Sequence, residues 1–333
     1  MRVGSFWSGA MTFARRGELS RLSSLYGVLS PDADLSMGDL LHAGIPRARA
    51  EAWSRSLPKH TAGRAVVYGS AAYPRLLERC ERPPPVLFVE GDAHVLQRQC
   101  VAIVGTRRCS AYGAAMAREL AHHFARAGIV VVSGLAWGID GHAHRSALEV
   151  GHTVGVLGHG LSTTSPRRHE SLRRALVDRG GAVVTTWHDD VLPQRYTFPQ
   201  RNRWIAALAR LVVVVEAPVR SGALITAREA ASLGVDVAAV PGRSGDARCG
   251  GCLQLLAEGA DLVEEPRAFV ARVLHTVEPP SEAAWMTALM SDASVSHVAR
   301  IAGWSVTALL VKLGEMERDG QIKRLPDGRY ARC

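Results

Sequence analysis

The sequence predicts an α/β fold: a doubly wound, Rossmann-like parallel sheet, with a small helical module ahead of it and a winged-helix unit behind. Three observations carry that expectation. Short β-branched runs alternate with helix-patterned stretches across the middle of the chain. Short helices broken by turns fill the amino-terminal part, and the carboxy-terminal part reads as three helices and a hairpin. At 333 residues the chain is also longer than one hydrophobic core usually organises.

Residues 1–62 form the first module, of helix-hairpin-helix or similar type, with helices around Gly17–Leu22, Leu35–Leu41 and, after Gly44-Ile45, Pro46–Trp53. Residues 63–95 read as a connector with short strands at Val66–Tyr68 and Val86–Val89, punctuated by prolines. The main domain, 96–275, has strand-like runs at Val101–Val104, Ile129–Val132, Thr153–Leu157, Ala182–Thr186, Leu211–Val215 and Val235–Val240. Helical periodicity occupies Ala114–Arg126 and Gly141–Val150 between them, as right-handed βαβ crossovers require. From 281 to 333, helices at Ser281–Met290, Ser294–Ile301 and Ser305–Arg318 precede a hairpin turning at Asp327-Gly328. The third helix offers Lys312 and Arg318 against Glu315 and Glu317, a poor set for reading base edges, which points to a protein-contact or auxiliary role.

Composition narrows the function. Apolar residues make up 47% and charged residues 21%, which excludes general disorder. A net charge of +9 and a pI near 9.7 favour an anionic partner. Only Lys59, Lys312 and Lys323 are lysine; every other cation is arginine, suited to planar, bidentate phosphate contacts. Six unevenly spaced cysteines do not form a secreted disulfide framework, and no apolar run is long enough to span a bilayer. A soluble, cytoplasmic protein with no membrane partner is expected.

In an open parallel sheet, ligands bind beyond the carboxyl ends of the strands. The loops there are Gly105–Arg108, Ser133–Asp140, Gly158–Arg168, Arg195–Arg203, Arg220–Gly222 and Arg243–Cys252. Ten of the eighteen arginines between 101 and 265 fall in them: 107, 108, 167, 168, 195, 201, 203, 220, 243 and 248. A phosphate-binding rim is the expectation, with glycines 105, 134, 158, 160, 222 and 242 admitting oxyanions to backbone N–H groups. Helix amino termini after Gly113, Asp140 and Gly222 add their dipoles, with Asp140 read as an N-cap.

Standard catalytic signatures are missing. No lysine lies between 60 and 311 to serve a phosphate-binding P-loop, and no metalloprotease or hydrolase motif occurs. His142 and His144 lack further ligands at zinc spacing, and Cys249 and Cys252 read as an incidental pair of thiols. No cofactor or metal is expected.

Several loops in order resemble the DprA/Smf family, the DNA processing protein A of natural transformation. They are Ser133–Asp140 with Ala143-His144, Phe198–Arg203 with Ile205-Ala206, and Val215–Ala217 with Arg220–Ala227. Ala239–Gly242 and Gly251-Cys252 with Glu258–Ala260 complete the set, and Tyr73-Pro74 through Gly91-Asp92 looks like the family's upstream segment. The resemblance implies a non-enzymatic, dimeric single-stranded DNA binder that loads the RecA recombinase. It implies a DNA-binding set of Gly105, Thr106, Arg107, Ser133, Gly134, Phe198, Arg201, Asn202, Arg203, Arg220, Ser221 and Gly222. The chain departs from the family pattern at Ser165-Pro166, Ala207, Ala223 and Leu253, which bears on the fine shape of the pocket.

Two other readings compete. A Rossmann-like nucleotide-processing enzyme of the phosphoribohydrolase kind would use Glu229 in Thr226-Ala-Arg-Glu229, although the glycine run that precedes such a carboxylate is absent. A transcription regulator would use the winged helix.

Overall fold

The computed structural model describes residues 64–68, 72–81, 83–84, 86–187, 189, 191–277, 286, 289, 298, 306–325 and 330–332. The helical module expected over 1–62 lies outside them. The chain divides into two compact units, meeting at Pro266/Arg267.

The first unit is built on a nine-stranded sheet in the order β1-β2-β6-β5-β4-β3-β7-β8-β9. The strands are β1 (Arg64–Val67), β2 (Val86–Gly91), β3 (Cys100–Val104), β4 (Val130–Ser133), β5 (Thr153–Val156), β6 (Ala182–Thr185), β7 (Leu211–Val214), β8 (Asp236–Ala239) and β9 (Asp261–Leu262). Strands β3 to β9 are parallel, while β2 pairs antiparallel with β6 and β1 antiparallel with β2. The two strands within 63–95, the segment expected to be a connector with short strands, therefore belong to the sheet itself. The apolar run Val86–Val89 is buried throughout, so it needs cover on both faces, which a place inside the sheet between β1 and β6 provides.

Helices α1 (Arg75–Glu78), α2 (Ala111–Arg126), α3 (Ile139–Val150), α4 (Glu170–Asp178), α5 (Thr197–Leu208), α6 (Gly222–Ser232) and α7 (Gly250–Ala257) cover the sheet. Helix α2 begins a turn earlier than its apolar periodicity suggests because the Ser110 hydroxyl accepts from the Gly113 amide. Its inner face, Ala117, Leu120, Ala121 and Phe124, is fully buried. Helix α5 ends against Arg79, whose guanidinium donates to the carbonyls of Ala207 (3.1 Å) and Ala209 (2.7 Å), orphan acceptors at a helix terminus.

The order places β3 at the switch point. The chain runs outward through β4, β5 and β6, then returns to the other side of β3 as β7. Loops after β3 and β7 therefore diverge, leaving a crevice at the carboxyl edge.

In the second unit, α8 (Pro266–Val277) is followed by α9 (Val306–Arg318) and a hairpin of β10 (Ile322–Arg324) and β11 (Tyr330–Arg332). Met286, Leu289, Val298, Leu309, Leu313, Met316 and Ile322 form its core. This matches the helix and hairpin of the expected winged-helix domain. Most of its first two helices, and its turn at 326–329, lie outside the described residues.

Candidate nucleic-acid interface

A cavity of about 830 Å³ opens at that crevice. One wall is the loop after β3. There the Thr106 amide donates to the Glu216 carbonyl (2.7 Å), and the Arg108 amide donates to the Thr106 hydroxyl (3.3 Å), which turns Arg107 and Arg108 outward, both exposed. The facing wall is Arg220, Ser221 and Gly222, where Ser221 caps α6 by accepting from the Ala223 amide (3.2 Å). Helix α5 closes a third side. Its Asn202 side-chain amide donates to the Gly222 carbonyl (3.1 Å), stitching α5 to the start of α6.

Phe198, half-buried, stands between cations. The Arg107 guanidinium carbon lies 5.2 Å from its ring centre and that of Arg201 lies 5.9 Å away, both within cation–π range. Arg195 and Arg248 add to the rim, so exposed guanidinium groups surround an interior that includes Ile205, Ile225 and Ala223.

Arg201 differs from the rest. It is 4% exposed and donates to the carbonyl of Gly134 (2.6 Å), to that of Val156, and to the Asn202 side-chain oxygen (3.1 Å). Burial pulls its pKa down to about 10, an effect that the nearby Asp140 carboxylate opposes. A guanidinium spent on carbonyls builds the floor of the cavity and has few donors left for a ligand. Gly134 is required beside it, because a Cβ there would sit 2.5 Å from the Arg201 guanidinium.

The expected site divides accordingly. Gly105, Thr106, Arg107, Phe198, Arg201, Asn202, Arg220, Ser221 and Gly222 all line the cavity. Ser133 and Gly134 do not. Ser133 is fully buried, with its hydroxyl donating to the Ile103 carbonyl (2.6 Å), and Gly134 lies beneath Arg201. Arg203 is also absent from the lining, since its guanidinium lies over the Trp204 ring (5.4 Å) and against the Cys80 thiol. Of the ten loop arginines, 107, 108, 195, 201, 220 and 248 line this cavity.

Several glycines serve close packing where ligand approach was expected. A Cβ at Gly105 would collide with Ile139 and one at Gly242 with Cys249, whereas one at Gly222 would meet only the Asn202 amide, at 3.9 Å. Asp140 is not an N-cap, because Gly138 holds that position of α3. The Asp140 carboxylate instead accepts from the amides of Gly134 (3.1 Å) and Ala136 (3.3 Å), folding the loop back over itself, and burial raises its pKa. Sequence reasoning passed over Glu216 as an anchor. Buried directly after β7, its carboxylate accepts from the Ser110 amide (2.8 Å) and from the Ser110 hydroxyl, and so sets the start of α2. The signals were a carboxylate just beyond a wholly apolar strand and its place in the Val215–Ala217 motif.

Among the described residues, no group of three or more His, Cys, Asp and Glu is placed to hold a metal, and no helix is long and apolar enough to cross a membrane.

A model of the family described as DNA recombination-mediator protein A matches residues 64–274, the whole sheet with the cavity at its edge. The chain belongs to that family. It is 38% identical to Protein Smf of Escherichia coli K12 over 279 residues, 78% of this chain and 75% of the relative. It is 43% identical to the putative DNA processing protein DprA of Mycobacterium tuberculosis H37Rv over 202 residues, which span about half of that longer protein. The fold superposes on DNA processing protein A of Streptococcus pneumoniae with a TM-score of 0.67 at 30% identity, covering 81% of this chain and 96% of that one. Superposition on DNA processing protein A of Helicobacter pylori, described by its single-stranded DNA binding mode, gives 0.58 at 27% identity, covering 64% and 96%. Among the departures from the family pattern, Ser165, Ala207 and Leu253 line no part of the cavity, whereas Ala223 does.

Proposed function

We propose that this family member binds single-stranded DNA at the carboxyl edge of its sheet and passes it to a RecA-type recombinase, acting as a cytoplasmic homodimer without catalysing a reaction. The observation that carries the proposal is the ring of exposed guanidinium groups, Arg107, Arg108, Arg195, Arg220 and Arg248, around a cavity walled by Phe198. Sequence-independent binding of a single strand needs cations along its backbone and an aromatic face for a base, and little else. The single-stranded DNA binding of the Helicobacter relative supports the same reading. Hand-over to a recombinase and dimerisation rest on the family resemblance.

The competing readings have less support. Glu229, the carboxylate a phosphoribohydrolase would need, does not line the cavity. On α9, Lys312 is paired with Glu315 (3.4 Å), which leaves that helix short of cations for duplex DNA.

Fluorescence anisotropy of labelled oligothymidylate and its duplex across a salt series tests the proposal, with Arg107→Ala/Arg220→Ala as the variant. The expected result is single-strand preference in the parent, with weaker binding in the variant and a log–log salt slope shallower by about 0.7 for each phosphate that the variant no longer neutralises. Equal binding by parent and variant would overturn the site. Adding each protein to RecA filament assembly on the same oligonucleotide tests the hand-over, which predicts faster nucleation with the parent than with the variant.

A further inference from the structure

Beside the first cavity, the basin, lies a second one of about 540 Å³, opening at the carboxyl ends of β7 and β8. Arg248 lines both. The second cavity is bounded by Tyr112, Glu216, Arg243, Asp246 and Cys249, none of which lines the first. Tyr112, in the first turn of α2, is 46% exposed, and its hydroxyl donates to the Pro241 carbonyl (3.2 Å), which fixes the ring at the mouth.

The charges sort what this cavity can hold. Glu216 is buried at its wall, and the Asp246 carboxylate accepts from Nη2 (2.7 Å) and Nε (3.0 Å) of the Arg248 guanidinium and from the Arg248 amide (2.9 Å). A phosphate inside would be repelled by two carboxylates in a partly desolvated space, whereas a neutral planar group carries no charge for them to repel. Cations stand only at the edge, where Arg243 and Arg248 are exposed. The arrangement therefore favours a base within and its phosphate on the rim.

We propose that this second cavity is a nucleobase subsite, in which the nucleotide next to the one held in the basin stacks on Tyr112 while the phosphate linking them lies outside the cavity against Nη1 of Arg248, the face of that guanidinium turned away from Asp246. The inference rests on the reading of the basin as a single-strand site and extends that strand's path by one residue. It also gives the pair of cavities a direction, because the strand has to leave the basin on the α2–β8 side.

Oligothymidylates carrying 2-aminopurine at successive positions test it in the full chain. Stacking on the tyrosine quenches the analogue at one position of the bound strand. The expected result for Tyr112→Ala is loss of that quench and affinity lower by about 5- to 140-fold, the range for removing one aromatic platform. Tyr112→Phe, which keeps the ring, is expected to retain both. An unchanged melting temperature in Tyr112→Ala shows that the fold is intact. If Tyr112→Ala keeps the parent's affinity and quench pattern while Arg107→Ala/Arg220→Ala loses binding, the subsite is refuted and the basin stands. If the parent shows no single-strand binding, or Arg107→Ala/Arg220→Ala binds as well as the parent, both readings fall together.

Discussion

Arg201 and Arg107 lie within cation–π range of the same phenylalanine and do different things. Arg107 is exposed, so its removal costs the fold little, whereas Arg201 is the partner of two buried carbonyls and faces the buried Asp140. Arg201→Met leaves those acceptors unmet and the carboxylate without its counter-charge, at a cost of about 3 kcal/mol. Urea denaturation checks this: the Arg201→Met midpoint is expected to fall well below the parent's, while Arg107→Ala unfolds with it. A midpoint unchanged in Arg201→Met would remove Arg201 from the floor.

At the scale of elements, the cavity is positioned by helix starts. Ser110 caps α2, and the same residue is held by Glu216 from the end of β7, so one serine joins two elements on opposite sides of the crevice. Ser110→Ala removes the cap and one donor to a buried carboxylate, so destabilisation of about 1–2 kcal/mol is expected, above the effect of a typical exposed cap. Thermal unfolding followed by circular dichroism measures it, and Ser110→Thr, which keeps the hydroxyl, is expected to recover most of the loss.

The central strands β3 to β7 were legible in the sequence because each is a short, largely apolar run, rich in valine and buried on both faces, and β8 because its run continues to Val240. From β3 to β8 each boundary lies within one residue of expectation. The alternation also located the loops that gather at one edge. It could not distinguish Arg201 from Arg203, which share one motif. On α5 they stand two residues and so about 200° apart, which sends one beneath the basin and the other to Trp204 and Cys80. Nor could spacing show that β2 pairs with β6, because an antiparallel strand added beside the parallel ones leaves no crossover signature.

For the molecule as a whole, one buried histidine links stability to pH. His144 is fully buried. Its Nε2 accepts from the Leu135 amide (3.3 Å), so its Nδ1 carries the proton and donates to the Thr153 hydroxyl (2.7 Å), which donates in turn to the Val131 carbonyl (2.6 Å). Leu135 has φ of +54°, so this chain of hydrogen bonds also holds a backbone conformation unusual for a side-chain-bearing residue. Burial lowers the His144 pKa from 6.5 to about 3. Between those values the unfolded chain binds a proton that the folded one refuses, so the contribution is complete above about pH 6.5 and is lost on acidification by up to about 1.4 kcal/mol per pH unit. Chemical denaturation at a series of pH values is expected to show that slope in the parent and a flatter one in His144→Gln, whose amide can still accept from Leu135.

The sheet ends on one side in β9, two residues long and paired with β8. Sheet edges invite other chains to add a strand, and a stub of two residues offers too few free backbone groups to template one. The proposed homodimer therefore cannot be a continuous sheet running through that edge. A dimer formed on that side draws its specificity from side chains meeting across a surface, where single substitutions can part the two copies without disturbing a backbone hydrogen bond.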